Sequence, residues 1–484
     1  MEVEVVRHKA AISRSSLSTP FQFLLRHGLL RADDRILDYG CGKGDDVRYL
    51  SAQGFDVRGW DPHYFPDTVR EASDIVNLGF VLNVIEEEDE RVKVLAEAWG
   101  YATGLLIVAV RTQADRPNDP GSPTKDGFFT RLGTFQKFFE PGELSGLLAK
   151  TLEETPVQGA PGVALVFRNE IQRQQFLAKR FRRSRRVSSQ DAAETVFRTE
   201  KELFGELVGF LAERGRPPEP DEWDGGDALL ERLGSMRKAI SVLKRVVGED
   251  SIEEYRRQAA EDLSLFLALE KFGGRARFSQ LDMSIRRDVR ALFGSYRAAC
   301  ETADELLFSL GNPLLIDAAC RDSGVGKLTG SALYVHRSAL DSLDRVLRAY
   351  EGCARAMLGD LPESNVMKFH RRYPAVSYLS YPDFDRIGHP ELRWAYFVDL
   401  RGLKATYEDF SERTNPPLLH RKEALVGPEY PRRAAFERLT GREEKLGLFD
   451  HPERIGTRRG WESALDELNV EVRGHRIFKK ARSS

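Results

Sequence analysis

A glycine-rich turn constrains the fold of this chain more than any other feature of its sequence. The segment ILDYGCGKGDD begins at Ile36 and places Gly40, Gly42 and Gly44 between a short apolar run and a helix-forming one. Glycines let the main chain turn tightly and leave bare backbone against which a ligand can lie. A strand, a tight turn and a helix in this order predict a parallel sheet covered by helices.

Short apolar runs alternate with helical patterns over the first 170 residues, which agrees with such a sheet. We predict strands at Arg35–Tyr39, Asp56–Trp60, Ile75–Leu82, Leu105–Val110 and Val163–Phe167. We predict helices at Pro20–His27, Asp45–Gln53, Asp89–Trp99 and Pro141–Lys150. Only 13 residues separate Asp61 from Ile75, too few for another helix and strand. The predicted fold class is therefore α/β and Rossmann-like, with a shortened third-strand region.

The character of the 484-residue sequence changes twice beyond this α/β part. Residues 1–170 are predicted to form a ligand-binding α/β domain, because strand and helix patterns alternate there. Residues 171–310 are charged and carry helical spacings, which predicts a helical domain. Residues 311–484 mix short β-type runs with irregular segments, and we predict an α+β module that selects a substrate or partner.

Composition excludes several classes of protein. The net charge is −2, so any contact with nucleic acid must be local; the run KRFRRSRR, Lys179–Arg186, is either a solvated helix face or a phosphate-contacting patch. Four scattered cysteines and nine scattered histidines show no disulfide or metal-ligand spacing. No apolar run is long enough to span a membrane, and the first residues lack an apolar signal core, so we expect a cytoplasmic protein.

The acids around the glycines indicate which ligand the turn would hold. Asp61 ends a predicted strand 17 residues after Gly44, where an acid accepts hydrogen bonds from ribose hydroxyls. Asp38, Asp45 and Asp46 would repel a diphosphate, whereas Asp38 would hold an ammonium group. The turn resembles motif I of class I S-adenosylmethionine-dependent methyltransferases.

That resemblance implies S-adenosyl-L-methionine as the cofactor, with Asp38, Gly40, Cys41, Gly42, Gly44 and Asp61 in its site. The alternative is a Rossmann-like fold that has lost its ligand. The strand that normally carries the adenine-reading acid is missing here, so either Asp74 substitutes or backbone reads the adenine. Cys41 lies inside the turn as a small packing residue, which argues against a covalent cysteine mechanism.

The tetrapeptide Asn77 to Phe80 admits three interpretations. It resembles the Asn-Pro-Pro-aromatic clamp of amino-directed nucleic-acid methyltransferases, with Asn77 and Phe80 receiving the acceptor and Leu78 and Gly79 replacing the prolines. Alternatively the strand resembles that of small-molecule methyltransferases, with Asn77 inside the strand and Asn83 facing the substrate. The third interpretation is an inert structural role.

A series of further motifs extends the resemblance along the chain: RHKAAISRSSLSTP, DYGCGKGDDVR, GWDP, VNLGFVLNVIE, DGFFTRLGTFQKFFE, LYVHRSALDSL, YEGCARAM, VSYLSYPDF, NPPLLHRKEALV and IGTRRGWESAL. The series resembles the bacterial family of DNA phosphorothioation-associated methyltransferases. The resemblance implies a nucleic-acid substrate, DNA before RNA, and partners from a phosphorothioation or defence system.

Basic residues near aromatics or prolines are the predicted nucleic-acid contacts, and structural ion pairs are the alternative for each. They are Arg7, His8, Lys9, Arg131, Lys137, Arg371, Arg372, His420, Arg421 and Lys422. The sequence thus predicts a methyltransferase that acts on a nucleobase amino group of DNA. The alternatives are an RNA (tRNA) or small-molecule methyltransferase, and a cofactor-binding scaffold without turnover.

Overall fold

The computed structural model describes residues 7–181, 201–224, 226 and 235–480. Its amino-terminal part is built on a sheet with strand order β2-β1-β3-β4-β9-β8, in which β1 to β4 are parallel and β9 is antiparallel to β4. The strands are β1 Arg35–Tyr39, β2 Asp56–Trp60, β3 Ser73–Gly79, β4 Ala102–Ala109, β5 Ser122–Pro123, β6 Phe128–Phe129, β7 Phe135–Gln136, β8 Val157–Ala160 and β9 Val163–Phe167. Strands β5 to β7 form a small separate sheet.

Helices connect these strands, as the alternating pattern predicted. They are α1 Thr19–Arg26, α2 Asp45–Ala52, α3 Glu88–Tyr101 and α4 Glu143–Leu152. The central strands β3 and β4 are buried over most of their length, because both of their faces are covered. The Rossmann-like α/β prediction is confirmed, and β2 is followed directly by β3 along the chain, as the 13-residue spacing required.

The order of the strands creates a crevice at one edge of this sheet. From β1 the chain moves outward to β2 and then returns across β1 to β3, so the direction of winding reverses between β1 and β3. In doubly wound sheets, ligands bind outside the carboxyl ends of the strands at such a reversal. The glycine-rich turn after β1 lies at that edge.

Strand β3 ends earlier than the sequence predicted. The predicted strand ran to Leu82, but β3 ends at Gly79 because Phe80 adopts a left-handed backbone with φ of +62°. Such a conformation is costly for a bulky residue and stops an extended strand. Its amide donates to the carbonyl of Ala109, 2.7 Å away, which holds this turn beside the end of β4.

A helical unit follows the first sheet along the chain. Its helices are α5 Glu170–Phe181, α6 Lys201–Arg214, α7 Met236–Val247, α8 Glu249–Glu270, α9 Met283–Phe293, α10 Tyr296–Ser309 and α11 Pro313–Asp322, and α12 Arg345–Leu358 comes after the next strands. None of the described helices combines the length and the apolar character needed to cross a membrane. The basic run KRFRRSRR lies outside the described residues from position 182 onward.

The carboxyl-terminal part contains an antiparallel sheet whose strands follow one another in chain order. They are β10 Lys327–Leu328, β11 Ala332–His336, β12 Val366–His370, β13 Ala375–Ser380, β14 Trp394–Asp399 and β15 Lys404–Asp409. Helices α13 Arg433–Lys445 and α14 Arg458–Glu467 and the hairpin of β16 Val470–Arg473 and β17 Arg476–Lys479 complete it. This arrangement is α+β, because strands and helices are segregated.

The compact units differ from the predicted division at residues 170 and 310. One unit comprises Met1–Asn169, Val325–Ala339 and Cys353–Ser484, and the other comprises Glu170–Gly324 and Leu340–Gly352. The first and last parts of the chain share a unit because they make close backbone contacts. The amide of Asp360, for example, donates to the carbonyl of Gly159 at 2.7 Å.

Candidate functional site

A cavity of about 1200 Å³ lies at the carboxyl ends of β1, β2 and β3. One side of its wall is formed by the residues that follow these three strands, Gly40, Asp61 and Phe80. Another side is formed by residues between Arg7 and Gln22. Pockets that hold one drug-sized ligand usually measure about 300–1,000 Å³. This cavity therefore has room for a cofactor and a second molecule.

The glycine-rich turn brings backbone without a side chain to the cavity wall at Gly40 and Gly42. Gly40 has φ of +84°, and a Cβ atom there would lie 2.3 Å from Val81 Cγ2. The amides of Gly40 and Cys41 both donate to the carbonyl of Trp60, at 2.7 and 3.0 Å. These bonds fix the turn against the end of β2.

Asp61 is held beside this turn by backbone donors. Its carboxylate accepts from the amides of Gly42 at 3.1 Å, His63 at 2.9 Å and Tyr64 at 3.0 Å. A carboxylate offers about four acceptor sites. Asp61 lines the cavity and keeps about one acceptor site for a hydroxyl group of a ligand.

Asp38 is a buried acid whose charge is poorly compensated. Its residue is 3% exposed, and its carboxylate accepts from Asn77 Nδ2 at 2.7 Å. Burial, the neighbouring carboxylate of Asp46 and that of Asp61 raise the pKa of Asp38 to about 7, against the opposing effects of Asn77 and Arg14. A cationic group beside Asp38 would remove this penalty.

The amino-terminal end of α2 is occupied by the protein itself. Asp45 and Asp46 stand in its first turn, and both are less than 10% exposed. Asp45 accepts the amide of Arg14 at 2.6 Å, and Asp46 accepts the amide of Ser18 at 2.7 Å. A diphosphate, which usually binds at this end of a helix, would meet two carboxylates here.

The segment from Arg7 to Ser18, called the arm below, contacts several sides of the cavity. Arg7 forms ion pairs with Glu86 and Glu90 at 2.8 and 2.5 Å. The ring of His8 stacks on His63 with centroids 3.9 Å apart. The arm is therefore anchored to the turn after β2, to the segment that leads into α3 and to the first turn of α3.

Groups in the wall and just behind it fit S-adenosyl-L-methionine. Ser18 is 5% exposed and belongs to the lining, and its buried hydroxyl has no hydrogen-bond partner in the described structure. The uncompensated acid Asp38 suits an ammonium group, the Ser18 hydroxyl suits a polar group of the same ligand, and Asp61 suits a ribose. The residues present thus fit the group that the sequence implied.

The acceptor residue predicted from the sequence is placed away from the cavity. Asn77 is 2% exposed and donates to Asp38, and a Cβ atom on Gly79 would lie within 3.2 Å of both atoms of its amide. It does not line the cavity. We therefore do not assign it the role of binding the acceptor. Phe80 does line the cavity, with the Arg14 guanidinium 5.5 Å from its ring centre.

The alternative acceptor residue, Asn83, is also committed to the fold. It is 1% exposed, its Nδ2 donates to the carbonyl of Lys137 at 2.7 Å, and its Oδ1 accepts the amide of Arg111 at 3.0 Å. Although it lines the cavity, both polar atoms of its amide are bonded to the backbone. Asn83 therefore positions the segments around it.

Of the residues predicted to contact the cofactor, Asp38, Gly44 and Asp74 do not line the cavity. Asp74 is at the amino-terminal end of β3, opposite the cavity, where it accepts from the amide of Arg35 at 2.9 Å. It cannot replace the missing adenine-reading acid from there. Cys41 does line the cavity, but burial raises the pKa of its thiol, which keeps it protonated and unreactive.

Several cations predicted to contact nucleic acid are engaged by other groups of the protein. Lys137 is 8% exposed and pairs with Asp126 and Glu143 at 3.3 and 2.9 Å. Lys422 is 2% exposed and donates to two backbone carbonyls at 2.6 Å. Among the remaining predicted contacts, the buried His420 is bonded to the Ile455 carbonyl, and Arg371 is bonded to the Thr329 carbonyl. Three arginines form ion pairs: Arg7 with Glu86 and Glu90, Arg131 with Asp119, and Arg421 with Glu444. His8 is half-buried, and Lys9 and Arg372 are exposed.

Sequence reasoning missed two residues that the structure brings into the site. Ser18 precedes a helix and resembles an ordinary cap residue, so no signal marks it. Arg111 lies just beyond β4, at the sheet edge where ligands bind in such folds. Its position directly after a predicted strand could therefore have marked Arg111 as a candidate ligand-binding residue.

Comparison with known proteins gives limited information. No family model matches the sequence, and no curated protein matches it significantly. Among solved structures, it is similar to the 1,6-didemethyltoxoflavin-N1-methyltransferase of Burkholderia thailandensis (18% identity, 32% of this chain and 93% of that one, TM-score 0.23). It is also similar to the CcbJ methyltransferase of Streptomyces caelestis (12%, 33% and 92%, 0.25) and the sugar N-methyltransferase KedS8 of a Streptoalloteichus species (11%, 33% and 96%, 0.22). At these values the similarities carry no argument about function.

Proposed function

We propose that this chain transfers a methyl group from S-adenosyl-L-methionine to a small-molecule acceptor. The observation that carries the proposal is that one cavity joins the bare backbone of Gly40, the acid Asp61 and the arm, and that the poorly compensated buried carboxylate of Asp38 lies in β1 just before Gly40. These groups complement a ligand with a ribose at one end and a cationic amino acid at the other.

The same groups disfavour a dinucleotide. A diphosphate needs the free amino-terminal end of a helix, whereas Asp45 and Asp46 fill the first turn of α2 and bind the amides of the arm. Coulombic repulsion at a partly buried site would add to that steric conflict. A ligand without phosphate avoids both problems.

S-adenosyl-L-methionine supplies an electrophilic methyl group whose departure leaves a neutral thioether. Because the leaving group is neutral, the chain needs no general acid. Asp61 would hold the ribose, Asp38 and Ser18 would hold the amino-acid end, and Phe80 would form the wall beside the transferred group. The contribution of these residues is orientation and exclusion of water.

The charge of the cavity favours a small acceptor over a nucleic acid. Carboxylates outnumber lysine and arginine side chains in its described lining. Nucleic-acid sites are instead strongly basic, because they neutralise phosphates. A DNA acceptor, partners from a phosphorothioation or defence system and a cytoplasmic location stay predictions of the sequence.

The first test is cofactor binding by isothermal titration calorimetry. Asp61→Ala should weaken the binding of S-adenosyl-L-methionine at least tenfold, because a charged hydrogen bond contributes about 1.5–3 kcal/mol. The matched control is Asp56→Ala, which removes an exposed acid from the other end of β2. Its affinity should equal that of the wild type, and thermal unfolding should show that both variants are folded.

The second test follows a radiolabelled methyl group from the cofactor into DNA, phosphorothioate DNA, total RNA and a metabolite extract. The proposal expects label in the extract, and loss of that label with Asp61→Ala. Label in DNA or RNA would replace the small acceptor with the nucleic acid that the sequence predicted. Binding without turnover would favour the scaffold, and a wild-type chain that binds no cofactor would refute the proposal.

A further inference from the structure

We infer that the acceptor carries an anionic group, a carboxylate or a phosphate, which the guanidinium of Arg111 binds. This inference rests on the proposed function, because it concerns the part of the same cavity that the cofactor would leave open. It narrows the acceptor from any small molecule to an acid.

The order of the strand ends places Arg111 at the acceptor end of the cavity. Asp61 follows β2 and Gly40 follows β1, whereas Phe80 follows β3 and Arg111 comes soon after β4. Neighbouring strands are about 4.8 Å apart, so the end of β4 is roughly 14 Å from that of β2. A cofactor anchored at Asp61 and Asp38 spans β2, β1 and β3, and it leaves the end of β4 to the acceptor.

The main chain at Arg111 is fixed from two directions. Its amide donates to Asn83 Oδ1 at 3.0 Å, and its carbonyl accepts the amide of Phe139 at 2.8 Å. Asn83 is itself 1% exposed and is bonded to the carbonyl of Lys137. Arg111 is therefore presented from a rigid base, as a binding residue should be.

The guanidinium of Arg111 has no carboxylate partner among the described residues, and it lines the cavity in a half-buried position. The other two arginines of the described lining do have such partners: Arg7 pairs with Glu86 and Glu90, and Arg14 lies 3.9 Å from Asp46.

Most carboxylates of the wall are also occupied. Glu97 accepts from the Tyr39 hydroxyl at 2.8 Å, Asp45 pairs with Arg48 at 2.7 Å, and Asp115 accepts from the amide of Thr112 at 2.7 Å. The positive charge of Arg111 is thus left for a ligand. A guanidinium binds carboxylate and phosphate oxygens through paired N–H donors, whereas an ammonium cannot match that geometry.

The experiment compares wild type, Arg111→Met and Arg111→Lys in transfer of radiolabelled methyl to a metabolite extract. The extract is separated into cationic, neutral and anionic fractions, and the anionic fraction is treated with phosphatase to distinguish phosphates from carboxylates. We expect label in the anionic fraction, at least a tenfold loss with Arg111→Met, and partial retention with Arg111→Lys.

Cofactor binding measured by calorimetry should be unchanged in both variants, which separates this inference from the proposed function. The matched control is Arg116→Met, because Arg116 is exposed on the same loop and lies outside the cavity lining. Label in the neutral or cationic fraction, or equal transfer by wild type and Arg111→Met, would overturn the inference and leave the methyltransferase standing. A wild type that binds no cofactor would overturn both.

Discussion

At the scale of single residues, Asp38 combines a proposed binding role with a cost to stability. Folding raises its pKa to about 7, so the folded protein binds this proton more tightly than the unfolded chain does. Stability at this position is therefore greatest at low pH and is lost as the pH rises from about 4 to 7. A neutral side chain of the same shape avoids that loss.

We predict that Asp38→Asn stabilises the free protein and weakens cofactor binding. The new amide can accept from Asn77 Nδ2 and donate to Asn77 Oδ1, which lacks a partner in the described structure. The gain in unfolding free energy should be about 2–3 kcal/mol larger at pH 8 than at pH 5, since one pKa unit corresponds to about 1.4 kcal/mol.

Denaturant unfolding at the two pH values measures the gain, and calorimetry measures the loss of affinity for S-adenosyl-L-methionine. Asp56→Asn is the control, because Asp56 is exposed, and it should change neither quantity. A variant that is less stable than wild type at pH 8 would contradict the assignment of Asp38 as an uncompensated buried acid.

The residues that could be predicted are those whose role depends on local sequence. Gly40 and Asp61 follow apolar runs directly, so their place at the sheet edge was readable from spacing. Asn77 was assigned to the acceptor because a side chain near a strand end faces the ligand in the resembling enzymes. Its partner Asp38 is 39 residues away in the chain, and no pattern in the sequence reveals such a buried pair.

At the scale of elements, the arm is predicted to slow the exchange of the cofactor. Arg7 joins it to Glu86 and Glu90, whose side chains are 23% and 39% exposed, so the ion pairs are weak and sensitive to salt. Arg7→Met should raise the dissociation rate of S-adenosyl-L-methionine several-fold, with the effect shrinking as salt is added. Stopped-flow displacement measures the rate.

The control for the arm is Arg31→Met, which removes an exposed arginine outside the cavity lining. Hydrogen exchange supplies a second measurement, because amides between His8 and Leu17 should exchange faster in Arg7→Met alone. Unchanged rates in both measurements would mean that the stacking of His8 on His63 and the backbone bonds to α2 hold the arm without Arg7.

Regular elements were predictable, whereas their ends and attachments were not. Strands β1, β2 and β9 match their predicted bounds, because apolar runs between turn residues are a local signal. The end of β3 depends on a bond from Phe80 to Ala109, and the arm depends on partners about 80 residues away. Such contacts are set by the tertiary fold and leave no periodicity.

At the scale of the whole molecule, the first unit is discontinuous in sequence. Changes of sequence character marked residues near 170, where one unit does end, but they could not show that residues 353–484 return to the first unit. The return depends on the shape of the backbone at the contact. Gly359 has φ of +76°, and a Cβ atom there would lie 2.5 Å from Ala160 N and from Gly159 C.

This contact allows a test of whether the two separated parts of the first unit fold together. Gly359→Ala should lower the unfolding free energy by about 2 kcal/mol or more, because the left-handed backbone costs about 1 kcal/mol and the backbone of β8 cannot move aside cheaply. Gly28→Ala is the matched control, since Gly28 has φ of +63° and no atom within 4 Å of the added Cβ. Gly28→Ala should lower the unfolding free energy only by the cost of the left-handed backbone.

Denaturant unfolding of both variants, with cofactor affinity as a second measurement, separates the two contributions. If the residues before 170 and after 353 unfold together, Gly359→Ala should also destabilise the cofactor site, although Gly359 lies outside the cavity lining. The affinity for S-adenosyl-L-methionine reports that effect. Equal losses in the two glycine variants would show that the contact with β8 is loose. The amino-terminal sheet would then derive its stability from its own core, and the carboxyl-terminal sheet would be an attachment to it.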